Sequence, residues 1–275
     1  METKIGNYVL TNHILAKGSF GTIYSGHHYK SGEHVAIKTE LHENTSLRHE
    51  TRILQYLYSK GVRKISPIYW YGKYNIYQVL ILPFYSCNLE TYYKKKTISS
   101  SQINAIMIKC LDICQQIHCH YIVHRDIKPA NFMIKNGDIY LIDFGLSTFY
   151  LDEDGEPIED YSDSVGTMIG TLKYASLNIH EGHRYSRRDD LISLAYIYEY
   201  LKAGLIWMPT EKIFVDADID AINVNRSDIQ HPLNLDWKKS KIEHLKKTEN
   251  KMLQVGYALK YNEIPDYSDI KKIFI

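Results

Sequence analysis

Four polar side chains in the middle of the chain are of the types that move protons and bind phosphate. Asp126, Lys128 and Asn131 lie in the run H-R-D-I-K-P-A-N that starts at His124, and Asp143 starts the run D-F-G. Asp126 could accept the proton of an attacking hydroxyl group, and Lys128 could stabilise a phosphoryl group during its transfer. Asn131 and Asp143 carry the hard oxygen atoms that magnesium takes from proteins. These residues therefore supply a proton acceptor, a phosphate-facing cation and two candidate magnesium ligands.

The two runs resemble the H-R-D…N and D-F-G motifs of the protein kinases, and they stand in the same order. The resemblance implies an α+β, bilobal protein-kinase fold with a small β-rich N-lobe, one main helix in it, and a larger, mostly helical C-lobe. It also implies ATP and Mg²⁺ as cofactors, with Mn²⁺ as an alternative metal. Asp126 would be the catalytic base, and Asn131 and Asp143 would hold the metal. Lys128, two residues after Asp126, resembles the serine/threonine pattern.

The first part of the chain has the pattern of a sheet with one helix. Four short runs rich in β-branched, aromatic or aliphatic residues predict strands. They are Tyr8–Leu10, Thr22–Tyr24, His34–Ile37 and Tyr77–Leu82. Apolar residues spaced along 47–58 predict a helix between the third and the fourth run.

Beyond residue 86 the periodicity becomes helical. Apolar residues at intervals of three and four from Ile103 to Ile117 predict a long helix packed in a core. Leu191–Leu201 and Asp236–Leu259 are also expected to be helical, the latter with a lysine-rich exposed face. We expect a single kinase domain over 1–275. Its parts are an N-lobe of about 1–82, a hinge of about 83–87 and a C-lobe of about 88–275.

A turn of small residues lies between the first two predicted strands. Gly18 and Gly21 would let backbone amides approach phosphates closely. Taken alone, this turn is equally consistent with an ordinary hairpin, because the kinase pattern is G-x-G-x-x-G and Ala16 replaces its first glycine. The run V-A-I-K that ends at Lys38 favours the phosphate loop, since kinases carry their phosphate-binding lysine on such a strand.

Lys38 would contact the α- and β-phosphates and needs a carboxylate partner on the following helix. Glu50 lies in the middle of that helix and is the predicted partner. Glu43 is the alternative, although it lies close to the helix start, and Glu50 could also be a solvated surface charge. Lys38, Glu50, Asp126, Lys128 and Asn131 are the predicted catalytic residues.

The resemblance implies further contacts with ATP. Tyr85 would offer its backbone N–H and C=O to the adenine edge, and Met133 would form the apolar floor under the base. The residues expected to contact the nucleotide are Leu15, Ala16, Lys17, Gly18, Ser19, Phe20, Gly21, Thr22, Ile23, Ala36, Lys38, Leu82, Tyr85, Met133 and Asp143.

Three further runs resemble the casein kinase I group of serine/threonine protein kinases. They are G-T-L-K-Y-A-S from Gly170, S-R-R-D-D-L from Ser186 and P-D-Y-S from Pro265. The resemblance extends from about Tyr8 to Phe274, with 205–240 poorly matched. It implies protein substrates with serine or threonine acceptors.

The same resemblance assigns roles to three charged residues. Asp190 would brace the catalytic loop, the run that starts at His124, from a buried helix. Arg125 and Lys173 would form a substrate anion site, although Arg125 is also consistent with a structural salt bridge. Lys173 stands where the group has an arginine, so it keeps the charge but loses the bidentate fork.

Residues 152–160, here called the acidic segment, read D-E-D-G-E-P-I-E-D. In the casein kinase I group this part of the activation segment tends to be basic. The segment could be a solvated loop. It could instead shift the preference toward basic acceptors, or act as an internal pseudo-substrate for Lys173 and Arg125.

The four cysteines are Cys87, Cys110, Cys114 and Cys119. Three lie on one predicted helix, with His118 and His120 nearby, so zinc is an alternative. Because the chain has no paired C-x-x-C knuckle, buried and reduced thiols are the expected state.

The composition excludes several functional classes. The 275-residue chain has a formal net charge of +1, which gives no electrostatic reason to expect binding to nucleic acid or to an anionic membrane. No apolar run reaches the roughly 18 residues of a membrane span, and no signal-peptide pattern stands at the N-terminus. We expect a monomer in the cytoplasm or nucleus. The chain ends soon after the last motif, so we expect activity without autoinhibition by a tail.

Two other functions compete with an active protein kinase. One is a pseudokinase that serves as a binding scaffold, but every residue needed for turnover is present. The other is a small-molecule kinase of related fold, which the casein kinase I runs around Thr171 and Arg188 argue against.

Overall fold

The computed structural model describes residues 3–18, 21–160, 168–204 and 232–275. Ser19 and Phe20, both expected to contact the nucleotide, lie outside the described residues. The chain divides into two compact units. The first is Met1–Cys87 with Met133–Gly145, and the second is Asn88–Phe132 with Leu146–Ile275.

The first unit is built on an antiparallel six-stranded sheet with the order β1-β2-β3-β4-β6-β5. Its strands are β1 (Thr3–Ile5), β2 (Tyr8–Gly18), β3 (Gly21–His28), β4 (His34–Leu41), β5 (Trp70–Tyr74) and β6 (Tyr77–Pro83). The four runs predicted as strands lie in β2, β3, β4 and β6. β1 and β5 were not predicted, because β1 is short and β5, W-Y-G-K-Y, contains a glycine and no β-branched residue.

One helix, α1 (Ser46–Ser59), accompanies this sheet. The buried Glu40 of β4 accepts a hydrogen bond from the backbone N–H of Leu47 at 2.7 Å, so a strand carboxylate satisfies the helix N-terminus. Leu54 and Leu57 on the buried face of α1 are at most 1% exposed. The helix is therefore held to the sheet by both polar and apolar contacts, which fixes the position of Glu50 in its middle.

A hairpin of β9 (Phe132–Lys135) and β10 (Asp138–Leu141) leads to the D-F-G run. Asn136 and Gly137 both have positive φ, as a tight hairpin turn requires. The backbone N–H of Leu141 donates to Lys64 O at 3.0 Å. This bond and the bridge between Ile65 and Leu141 join the hairpin to the first unit, with which Met133–Gly145 groups.

The second unit is mostly helical. Its helices are α2 (Leu89–Lys95), α3 (Ser100–Cys119), α4 (Leu177–His180), α5 (Arg187–Ala203), α6 (Pro232–Leu245), α7 (Lys251–Ala258) and α8 (Tyr267–Lys271). Short strands β7 (Cys87–Asn88), β8 (Ile122–Val123) and β11 (Thr148–Phe149) complete the elements, and β8 pairs with β11. In the described part of the chain, every helix is too short or too polar to cross a membrane.

The helices α3 and α5 form the core of this unit. A capping box of Ser99 and Gln102 starts α3, and its buried face includes Met107 and Leu111. Most of α5 is buried, including the charged residues Asp189 and Asp190. Both helices confirm the predicted periodicity.

The predicted helix over Asp236–Leu259 is wrong as a single element. The structure has α6 and α7, because the side chain of Asn250 accepts from the backbone N–H of Met252 at 2.9 Å and starts a new helix. The expected lysine-rich exposed face is also wrong in part, since Lys241 is 0% exposed. Its Nζ donates to Leu172 O at 2.7 Å and to Ala175 O.

Candidate active site

Lys38 of β4 lies between two carboxylates within the first unit. Its Nζ donates to Glu50 Oε1 at 2.8 Å, to Glu50 Oε2 at 2.9 Å and to Asp143 Oδ1 at 3.0 Å. The Glu50 side chain is 3% exposed and that of Lys38 is 13% exposed, whereas Glu43 lies on the surface. The structure therefore pairs Lys38 with Glu50 and leaves Glu43 aside.

The cluster stabilises the charge of Lys38. Burial lowers the pKa of Lys38, but the carboxylates of Asp143 and Glu50 outweigh burial and raise this pKa above its usual value. Burial, in turn, raises the pKa of Glu50 against the opposing effect of Lys38. The Lys38 ammonium thus remains protonated at neutral pH, which is the state that can attract a phosphate.

Asp143 is held in an uncommon backbone conformation, with a φ of 67°. Its side chain is 39% exposed, whereas the neighbouring Phe144 is fully buried. The buried ring anchors the turn while the carboxylate remains open to solvent. A carboxylate oxygen of this kind suits magnesium, which binds one or two carboxylates and keeps several waters.

The predicted phosphate loop is the hairpin end of β2 and β3. Lys17 pairs with Thr22 and Gly18 pairs with Gly21 across the two strands. Gly21 has a φ of +124°, and a Cβ there would lie 2.1 Å from Thr39 O. Glycine is therefore required at 21 by the approach of β4, a reason that the sequence pattern does not show.

The other predicted nucleotide contacts lie on the same sheet or on β9, except for Tyr85, which lies between β6 and β7. Leu15 and Ala16 lie in β2, and Ile23 lies in β3 opposite Ala16. Ala36 of β4 pairs with Leu82 of β6. The ring of Tyr85 lies 5.6 Å from the ring of Tyr140 in β10, and Met133 lies in β9.

In the second unit, three side chains contact the Asp126 carboxylate, two through hydrogen bonds and one through an ion pair. Thr171 Oγ1 donates to Oδ1 at 2.7 Å. Asn131 Nδ2 donates to Oδ2 at 3.2 Å, and Lys128 Nζ lies 3.1 Å from the same oxygen. The predicted base, the predicted cation and one predicted metal ligand are therefore brought together within one loop.

The amide of Asn131 is oriented by Asp126. Its Nδ2 also donates to the main-chain oxygen of Asp126 at 2.9 Å, so both amide hydrogens point to the same residue. This arrangement leaves the amide oxygen as the available acceptor, the donor type that a hard cation takes. Asn131 thus fits the role of a magnesium ligand, as Asp143 does within its own unit.

Thr171 lies in the run that starts at Gly170, but the sequence predicted no function for its side chain. Besides its bond to Asp126, Thr171 Oγ1 accepts from Lys128 Nζ at 3.2 Å. The preceding Gly170 has a φ of +92°, and a Cβ there would lie 2.4 Å from Arg125 O. The chain can come this close to the catalytic loop only because residue 170 is glycine.

Asp190 of α5 braces the catalytic loop, as the resemblance implied. Its Oδ2 accepts from the backbone N–H of His124 at 2.7 Å, and its Oδ1 accepts from that of Arg125 at 3.0 Å. His118 Nε2 lies 2.9 Å from Oδ2, and the Tyr267 hydroxyl contacts the other ring nitrogen. Burial would raise the pKa of Asp190, but its hydrogen bonds, with His118 foremost, hold this pKa below its ordinary value.

The thiols of Cys110 and Cys114 are fully buried, and burial raises the pKa of each. His118 is engaged by Asp190 and Tyr267. Across the described ranges, no three His, Cys, Asp or Glu side chains are grouped so that they could hold a metal ion.

The two residues of the expected anion site have other contacts within the second unit. Arg125 Nε donates to the main-chain oxygen of Leu146. Lys173 Nζ lies 5.1 Å from the centroid of the Tyr174 ring and 5.1 Å from that of Tyr200. Arg125 therefore binds a backbone group and braces the start of the activation segment.

A comparison with protein families identifies the family of this chain. The family model described as "Protein kinase domain" matches residues 10–259. The match covers most of the chain and includes every residue placed above in the two clusters around Lys38 and Asp126. It confirms the predicted bilobal α+β fold class.

Proposed function

Since the chain belongs to the protein kinase family, we propose that it is an active serine/threonine kinase of the casein kinase I type. The observation that carries the proposal is the set of contacts around Asp126. Thr171, Asn131 and Lys128 orient its carboxylate from three directions. An oriented carboxylate can accept a proton from a hydroxyl, and general base catalysis typically contributes about 10²–10⁴-fold to the rate.

The contacts indicate where the acceptor hydroxyl binds. An ionised carboxylate has about four lone-pair sites. Two donors lie at Asp126 Oδ2, whereas the described residues place only Thr171 at Oδ1. The remaining capacity is on Oδ1, so the substrate hydroxyl would donate there. Lys128 would stabilise the transferred phosphoryl group from the side of Oδ2.

On the nucleotide side, Lys38 would bind the α- and β-phosphates. Its ammonium is kept charged and positioned by Glu50 and Asp143. We assign Asp143 and Asn131 as the ligands of Mg²⁺, which when bound neutralises charge on the phosphates. The protein's own contribution is therefore positioning and charge, which is what phosphoryl transfer mainly requires.

Two observations support the assignment to the serine/threonine kinases and to the casein kinase I type. Lys128 contacts both Asp126 and Thr171, so the lysine of the serine/threonine pattern is part of the catalytic cluster. The casein kinase I run from Gly170 supplies Thr171 itself, and the run from Ser186 supplies Asp190. Both runs thus supply residues that contact the loop around Asp126, which supports the resemblance to the casein kinase I group.

The test is Mg²⁺-dependent transfer of the γ-phosphate of ATP to casein and to peptides with serine, threonine or tyrosine as the acceptor. We expect transfer to serine and threonine, and its loss in Asp126→Asn. Asp112→Asn, which changes a surface carboxylate on α3, is the matched control and should transfer normally. Transfer to tyrosine alone would contradict the acceptor class. ATP binding without transfer to any acceptor would favour a scaffold.

A further inference from the structure

The side chain of Tyr185, in the loop before α5, lies against residues 169–171. Its hydroxyl donates to the main-chain oxygen of Ile169 at 2.7 Å. A Cβ at Gly170 would lie 3.0 Å from the same hydroxyl oxygen and 2.4 Å from Arg125 O. Gly170 is therefore packed against both the Tyr185 hydroxyl and the catalytic loop, a closeness that only glycine allows.

The next residue along the chain is the one that orients the predicted base. Thr171 Oγ1 donates to Asp126 Oδ1 at 2.7 Å and accepts from Lys128 Nζ at 3.2 Å. A threonine hydroxyl is attached directly to Cβ, so its position follows the backbone. A backbone shift of about 1 Å would take the bond to Asp126 outside the range of a hydrogen bond. The place where residue 169 is anchored therefore decides whether Thr171 reaches Asp126.

The surroundings of Tyr185 keep its hydroxyl protonated. Burial raises the pKa of Tyr185 well above its usual value, and the nearby carboxylates of Asp189 and Asp126 raise this pKa further. The carbonyl oxygen of Ile169 can only accept a hydrogen bond. The bond from Tyr185 to Ile169 therefore has one possible direction and persists throughout the neutral pH range.

The loop that carries Tyr185 is itself anchored on both sides. Before Tyr185, the backbone N–H of Arg184 donates to Asp160 Oδ1 at 3.3 Å, and His183 Nδ1 lies 3.3 Å from the same oxygen. After Tyr185, the backbone of Ser186 is bonded within the capping box that starts α5. The end of the acidic segment thus contacts this loop, a partner that the sequence did not predict.

We propose that Tyr185 is a positioning residue for the reaction at Asp126. Its hydroxyl holds residues 169–171 on the catalytic loop, and Thr171 then orients the Asp126 carboxylate. The effect on phosphoryl transfer rests on the proposed function, whereas the effect on the backbone does not. A positioning residue lowers the rate of transfer and leaves the affinity for ATP unchanged, which separates this role from a purely structural one.

The test variant is Tyr185→Phe, which removes only the hydroxyl. We expect the single-turnover rate of transfer to a serine peptide at saturating ATP to fall by about fivefold or more, because the Ile169 carbonyl oxygen loses its donor. The dissociation constant of ATP should not change, since Lys38 lies in the other unit. The matched control is Tyr71→Phe, which removes the bond from a partly buried hydroxyl to Gln78 Oε1 in the first unit and should transfer normally.

The double variant Tyr185→Phe/Thr171→Val shows whether Tyr185 acts through Thr171. We expect it to transfer phosphate as slowly as Thr171→Val does and no more slowly, because the hydroxyl that Tyr185 positions is already absent. A loss equal to the product of the two single losses would overturn the proposal. A Tyr185→Phe variant that melts at a lower temperature but transfers at the wild-type rate would also overturn it, because the bond would then serve stability alone.

A second measurement needs no turnover. The backbone N–H groups of Tyr174 and Ala175 donate to Thr171 O at 2.9 and 3.1 Å, so their hydrogen exchange reports on the position of residue 171. We expect this exchange to be about fivefold faster or more in Tyr185→Phe and unchanged in Tyr71→Phe. Unchanged exchange in Tyr185→Phe would overturn the positioning role. Faster exchange in that variant, together with a wild type that transfers no phosphate, would refute the proposed function and support the contact.

Discussion

Thr171→Val removes the hydroxyl that contacts Asp126 and Lys128 and leaves a side chain of nearly the same shape. That hydroxyl donates to Asp126 Oδ1 at 2.7 Å and accepts from Lys128 at 3.2 Å. A hydrogen bond to a charged group contributes about 1.5–3 kcal/mol. Asp126 has only 7% of its side chain exposed, so water restores little of the loss. If the bond orients Asp126 in the transition state, kcat falls by about 10- to 150-fold.

The assay is steady-state phosphorylation of a serine peptide at saturating ATP. Thr171→Ser is the matched control, because it keeps the hydroxyl and should retain kcat within a few-fold. The melting temperature of both variants shows whether the fold is intact. A valine variant that melts like the wild type and keeps kcat within about twofold would refute the role assigned to this contact.

Three further predictions concern the groups that position the site. Gly170→Ala should abolish transfer while ATP still binds, since its Cβ would lie 2.4 Å from a catalytic-loop carbonyl oxygen; nucleotide binding and turnover are measured separately. Glu50→Gln should raise KM for ATP by about fivefold or more, because a neutral amide binds the Lys38 ammonium less strongly, whereas Glu43→Gln should not. Asp190→Asn should destabilise the protein by about 2 kcal/mol or more at neutral pH, because a neutral amide accepts the backbone N–H groups of His124 and Arg125 less strongly than a carboxylate does. The pKa of Asp190 in the folded protein is below the ordinary 3.8, so its stabilising effect is complete above pH 3.8 and is lost as the pH falls through the pKa of the folded state. Thermal unfolding should therefore show that the difference in stability between the wild type and Asp190→Asn decreases from neutral to acid pH.

Much of the helical part was predictable because its signals are local. Apolar residues at three- and four-residue intervals placed α3 and α5, and a helix with one buried face needs no knowledge of its partner to be recognised. The same holds for α1, where the pattern also placed Glu50 in mid-helix. The pairing of Lys38 with Glu50 followed once β4 and α1 were in place.

Other features were hidden because they depend on contacts between distant segments. Continuous helical character over 236–259 concealed the break before α7, which the side chain of Asn250 decides. Lys241 looked like a surface charge, yet it is buried because the main-chain oxygens of Leu172 and Ala175 lie beside it. The periodicity of apolar residues predicts neither the burial of a lysine side chain nor its hydrogen-bond partners.

The sequence by itself determined which chemical groups are available for the proposed reaction. The types and spacing of Asp126, Lys128 and Asn131, together with D-F-G, specify a base, a cation and hard oxygen ligands, because those properties belong to the residues themselves. Tertiary structure alone decided what surrounds them. Thr171 reaches Asp126 and Asp160 reaches His183 because chain segments far apart in sequence meet in the fold. Hydrogen bonds and ion pairs act over only a few ångströms, so contacts of this kind are set by three-dimensional proximity.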